Sequence, residues 1–191
     1  MKLVNKEFEK RKNAILYFCK NVKYPYKTKI YKLLYFLDFI HFKQVGRPVT
    51  DLEYYTFDFG PAPIQLHEEI EQKKLPKKLG NCLQITEETD GIFKGNKFYK
   101  FIAIKKPNLE VFSEREKAIL EQVAFTFKDA KAKDMIEISH LKNGPWEKTK
   151  KEKGMGKKID FLLALDDGAL ISQDIAKERL ANSREIKDLF L

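Results

Sequence analysis

The chain has 191 residues, of which 43% are hydrophobic, 13% aromatic and 34% charged. That balance excludes a disordered tail, a collagen-like chain and a membrane-spanning protein. The length fits one domain over residues 1–191. Basic residues outnumber acidic ones 37 to 28, a formal charge of +9 that attracts nucleic acid, acidic proteins or anionic surfaces without choosing among them.

The apolar runs Leu33 to Leu37 and Phe161 to Leu165 fall far short of the ~20 residues a membrane helix needs. The start, Met1-Lys2-Leu3-Val4, carries no apolar signal core, so a cytoplasmic location is expected. Arginine occurs only at Arg11, Arg47, Arg115, Arg179 and Arg184. Lysine therefore carries the charge, although arginine is better suited to planar recognition of bases and phosphates. Cys19 and Cys82 are far apart without metal or redox spacing, and read as two buried thiols.

In chain order, Phe8, Ile15, Leu16, Phe18 and Cys19 mark an amphipathic helix over 6–20. A second helix is predicted over 29–43, with Thr28 as its cap and Gly46 as its stop. It is apolar nearly all round, which places it at the centre of a fold. Residues 49–57 alternate as an extended segment, and Phe59-Gly60-Pro61-Ala62-Pro63 reads as a turn, with Pro63 in the first turn of the next helix. After a lysine-rich loop over 73–78, strands are predicted over 82–86 and 97–104, with turn residues at 89–91 and 95–96. Ser113-Glu114-Arg115-Glu116 is a capping box, and Ile119, Leu120, Val123, Ala124 and Phe127 face inward after it. A further helix over 130–141 directs Met135, Ile136 and Ile138 to the core, and Asn143-Gly144-Pro145-Trp146 ends it. Lys142 to Lys158 holds seven lysines against two glutamates and reads as a solvated loop. An apolar patch over 161–165 and a final helix capped by Ser172 complete an α+β domain, mainly α-helical with a small antiparallel β element.

Catalytic fingerprints are missing. Gly154-Met155-Gly156-Lys157-Lys158 lacks the hydroxyl ligand and first glycine of a phosphate loop, and His67-Glu68-Glu69-Ile70-Glu71 lacks the second histidine of a zinc helix. His41, His67 and His140 read as separately hydrogen-bonded residues, so no metal or cofactor is expected. Asp38 on the apolar helix needs partners, and backbone donors of the Gly46-Arg47-Pro48 loop are the simplest. Trp146 reads as a seal at the core edge, and Tyr54, Tyr55, Phe57 and Phe59 as one aromatic strand.

Taken in order, Lys32-Leu33-Leu34-Tyr35-Phe36-Leu37-Asp38, Gly46-Arg47-Pro48, Tyr54-Tyr55, Gly60-Pro61-Ala62-Pro63, Ile138-Ser139-His140 and Gly144-Pro145-Trp146 form a more specific set. It resembles the Panacea domain, also described as the SocA-like antitoxin or phage-associated-protein domain, over about Lys6 to Trp146. The second turn is one residue shorter than the family's pattern.

The resemblance implies a non-enzymatic antitoxin of a toxin–antitoxin system, often borne on a prophage or mobile element. Its partner would be a cognate toxin encoded by a neighbouring gene, bound directly; one branch delivers its toxin to a protease. Tyr35, Asp38, Gly46, Pro48, Tyr54, Gly60, Pro61, Pro63, His140, Pro145 and Trp146 carry the motifs, and are expected to maintain the domain more than to touch the toxin. The alternative is a regulator that binds DNA through Lys148, Lys150, Lys151, Lys153, Lys157 and Lys158, though no clear helix-turn-helix accompanies them. A third reading, a hydrolase built on Asp38 and His140, makes turnover depend on both.

Overall fold

Apolar side chains at helical spacing give α1 (Lys6–Asn21) its buried face of Ala14, Ile15, Leu16 and Phe18. The computed structural model, which describes residues 6–89 and 97–190, then turns at Pro25 into α2 (Lys27–Val45). Thr28 lies inside this helix and is not its cap. Tyr26 is the capping residue, with no side-chain bond of its own, and is held by a β-bridge to Lys100. Ile30, Leu33, Leu34, Leu37 and Phe42 have no exposed surface, and Tyr31, Tyr35 and Phe39 are buried on other sides. Each such side chain contributes ~1.5–3 kcal/mol on burial, so α2 is the centre of the fold. Gly46 ends it in the left-handed region at φ 68°, its N–H donating to Phe42 O at 2.7 Å.

β1 (Tyr54–Phe57) pairs antiparallel with β2 (Gly60–Pro63), so the stretch expected as a turn is mostly a strand. Only Asp58 and Phe59 reverse the chain. Two prolines fit here for a geometric reason. Thr56 directs its N–H to Lys157 O and its C=O to Gly156 N–H, and Tyr54 accepts from Ile159 N–H. Pro61 and Pro63 stand opposite those two residues, where the ladder asks for no donor. Pro63 is the cap of α3 (Ile64–Glu71), one position earlier than expected.

α4 (Lys77–Gly80) occupies part of the lysine-rich loop. β3 (Leu83–Thr89) and β4 (Lys97–Ala103) pair antiparallel from Leu83↔Ala103 to Thr89↔Lys97; of the turn residues expected at 89–91 and 95–96, Thr89 ends β3 and the others lie outside the described residues. Ser113 and Glu116 form the predicted capping box of α5 (Glu114–Thr126). α6 (Ala132–Ser139) is shorter than expected, and its core contribution is Met135; Ile136 is half-buried and Ile138 is 38% exposed.

The basic run expected as a loop is helical. Pro145 supplies the first residue of α7 (Pro145–Lys153), and Trp146 and Thr149 bury one face of it. Residues 156–158 then run along the free edge of β1. A 3-10 turn (Phe161–Ala164) and α8 (Gln173–Phe190) follow, with Ser172 Oγ accepting from Ile175 N–H at 3.4 Å. The result is a mainly helical α+β fold with two small antiparallel sheets among the described residues. No described helix is long and apolar enough to cross a membrane.

Gly60 fixes how β2 meets α6. Its φ is +90°, and a Cβ there would lie 2.6 Å from Ser139 Oγ and 2.8 Å from His140 Nε2. Gly60→Val is expected to cost at least ~1–3 kcal/mol from strain alone. A chain of this size then melts several degrees lower in a thermal scan.

Candidate functional site

The motif residues converge on α2 in two clusters. In the first, Asp38 is fully buried and its carboxylate takes four donors. Oδ1 accepts from the backbone N–H of Val49 and of Thr50, both at 2.8 Å. Oδ2 accepts from Thr50 Oγ1 at 2.5 Å and Tyr54 Oη at 2.7 Å. The donors lie just beyond the Gly46-Arg47-Pro48 loop, not in it. Burial raises the Asp38 carboxyl to about 6 even though its four donors favour the ionised form and hold it down. His41 donates its Nδ1–H to Arg47 O at 2.7 Å, fixing the same loop from the next turn of α2. Tyr35 packs edge-on against Tyr54 at 5.5 Å, and Pro48 is half-buried over this cluster's loop.

In the second cluster Lys32 is buried and donates to Pro61 O at 2.7 Å. His140 stacks on Trp146, centroids 3.7 Å apart and planes within 11°, and Lys150 Nζ lies 4.8 Å over the same indole. Trp146 is 4% exposed, the buried seal of the α6–α7 corner. Gly60 sits between these groups, the Lys32 side chain on one side and His140 on the other. Pro61 and Pro63 are buried in β2, and Pro145 is half-buried at the head of α7.

The three histidines do not meet. His67 lies against Phe57 and Tyr31, apart from His41 at Arg47 and His140 at Trp146. Among the described residues no group of three His, Cys, Asp or Glu side chains is arranged to hold a metal. Asp38 and His140 belong to different clusters, so the hydrolase pair is not assembled. Cys82 is buried and Cys19 half-buried, its thiol pushed up to about 12 by burial, and no disulfide joins them.

Of the lysines singled out in the sequence, Lys150, Lys151, Lys153, Lys157 and Lys158 are exposed and Lys148 is half-buried. Lys158 is paired with Glu53. They do not form one row: Lys153 and Lys158 line a cleft of about 580 Å³ beside Asp160 and Glu53, whereas Lys150 sits at the Trp146 corner.

Sequence reasoning missed the two buried cations of α2. Lys29 donates to the carbonyls of Lys23, Lys128 and Ala130 at 2.7, 3.2 and 2.6 Å, tying α2 to the ends of α1 and α5. Lys32 has the Pro61 carbonyl. The available signal was their place on a helix whose other positions are apolar on every side.

A model of the family described as antitoxin SocA-like, Panacea domain, matches residues 30–147, more than half of the chain. The chain belongs to that family. No curated protein and no solved structure gives a match. The Panacea match begins within α2 and ends within α7, so α1, the 3-10 turn and α8 extend beyond it. Apart from Lys150, both clusters are built from residues inside the matched span, with α2 as their common support.

Two consequences are measurable. Asp38→Ala leaves four buried donor groups without their acceptor, and is expected to destabilise by ~3–5 kcal/mol; Tyr54→Phe removes one donor and costs ~1–3 kcal/mol. Denaturant titrations that rank the two variants equally would contradict the four-donor arrangement.

Burial also lowers Lys32 to about 7 from an ordinary 10.5, and Lys29 to about 8. Below pH 7 both states of the protein hold the Lys32 proton, and its burial penalty stands in full. Above pH 7 the folded state releases that proton while the unfolded state keeps it, so stability rises with pH. Lys29 adds to the rise above about 8. Thermal melts from pH 7 to 9 are expected to climb in the natural chain and to climb less in Lys32→Met.

Proposed function

We propose that this protein is an antitoxin that neutralises a cognate toxin, encoded by a neighbouring gene, through direct contact and without catalysis. The observation that carries the reading is the fate of the Panacea motif residues. Asp38, the only carboxylate among them, spends both oxygens on donors of its own chain. His140 is stacked face to face on Trp146, and Gly60 and Pro61 are closed in by α2 and α6. Groups committed in this way hold a frame and leave no charged centre facing a substrate. Such a frame leaves the exposed surface to carry specificity, as a domain serving different toxins requires. We place the protein in the cytoplasm, acting as one domain, with no cofactor.

A DNA-binding role is favoured by one observation, the exposed lysines of α7 and the segment after it. That binding would fall steeply with salt and survive physiological ionic strength only if base contacts added to it.

The test is co-expression of this chain with the product of the adjacent reading frame. Growth is expected to be restored, and a stoichiometric complex to co-purify without added cofactor. The rescue is expected to persist when all three histidines are replaced in a variant that still folds. Rescue without a complex, or rescue lost in a stable Asp38→Asn protein, would point to chemistry instead of contact.

A further inference from the structure

Phe59 and Leu141 are 69% and 62% exposed, although they are far apart in sequence. The fold brings the chain segments that carry them together. Phe59 is the residue before Gly60, which lies against Ser139 and His140, and Leu141 is the residue after His140. Ile138, 38% exposed, is bonded into the same turn, its carbonyl accepting from Leu141 N–H. A lone exposed Leu or Phe on a soluble protein needs no explanation; three within two residues of one close contact mark a candidate apolar patch.

The ground under this patch is rigid. Gly60 is held at positive φ between two elements, and His140 is stacked on a buried Trp146. Rigid anchors lose little freedom when a partner covers them, which favours tight binding. The border of the patch is basic. Lys142 and Lys151 are exposed, and Lys150 lies over the indole. Acids on these elements are outnumbered, with Glu152 exposed on α7. Glu147 faces the Asn143 N–H, and Glu137 lies 3.9 Å from Lys133; Asp58 adds one acid at the hairpin turn. Of the basic run, Lys142, Lys150 and Lys151 belong to this corner, whereas Lys153 and Lys158 line the cleft beside Glu53 and Asp160.

Resting on the toxin-neutralising reading, we infer that the α6–α7 corner with the β1–β2 turn is the toxin-docking surface, and that it receives an acidic face of the toxin with an apolar side chain seated among Phe59, Ile138 and Leu141. Apolar anchors inside a charged rim are the usual anatomy of a protein–protein contact. A phosphate backbone would use the lysines, but has nothing to place against Leu141 and Ile138.

The experiment uses the full chain and the purified product of the adjacent reading frame. Two double variants are made, Phe59→Ser with Leu141→Ser and Lys142→Glu with Lys151→Glu, and Phe125→Ser serves as control, since Phe125 is 83% exposed and belongs to α5, not to the elements of the proposed surface. All three are expected to melt within a few degrees of the natural chain. The first pair is expected to weaken the complex by at least ~10-fold and to abolish growth rescue. The second is expected to slow association and to flatten its salt dependence, and Phe125→Ser to bind normally. Normal binding by both double variants would overturn the docking surface while leaving the antitoxin reading intact. A natural chain that fails to bind the product at all would overturn the reading and the surface together. If the lysine pair lost only binding to duplex DNA at physiological salt, the corner would be a nucleic-acid surface and the proposal wrong.

Discussion

A carboxylate removed from water must find a donor for each of its lone pairs, and Asp38 imposes that demand at the centre of this fold. The helix that carries it is buried on almost every side, so no solvent can serve. The chain after α2 therefore turns back at Gly46 and lays Val49, Thr50 and Tyr54 against the carboxylate. β1 starts at Tyr54, so the same bonds that satisfy the acid set the position of the first hairpin.

Lys29 and Lys32 extend this principle to cations. Lys29 takes carbonyls from the chain ends around α1, α5 and α6, and Lys32 takes Pro61 in β2. Apolar burial drives α2 inward but is non-directional; it does not say which segment packs where. Three buried charges do, because each is satisfied only by one arrangement of distant backbone. The Panacea signature is concentrated where that directional information is needed: the acid, the lysine, the glycine that lets β2 approach, and the His–Trp stack that receives it.

This division of labour bears on function. A frame fixed by internal polar contacts tolerates change at the surface, since exposed positions away from such contacts cost little stability when altered. The outward side chains of the hairpin turn and the α6–α7 corner are therefore free to follow a partner. Asp38 and Gly60 are not, because a substitution there leaves buried donors unmatched or forces a side chain into the α2–α6 contact.

Much of this was legible in the chain itself. The apolar periodicity of α2, the stop at Gly46, the Ser113 capping box and the two strands around 83–103 are set by local sequence, because helix faces, caps and strands depend on neighbours a few residues away. The need of Asp38 for partners was equally plain from its setting. What the sequence could not give was the identity of those partners, which lie eleven to sixteen residues on and meet it only when the loop closes. Local rules misread Gly60 to Pro63 as a turn, since proline's tolerance in β2 depends on which way Thr56 and Tyr54 direct their hydrogen bonds. They misread the basic run as loop because Trp146 and Thr149, not its lysines, decide that α7 forms. The sequence alone determined the helices around α2 and α5, the β3–β4 strands and which helix is central; the tertiary structure decided that β2 is a strand and α7 a helix, which charges are buried and which apolar groups stay exposed, because those depend on contacts between residues that the chain holds far apart.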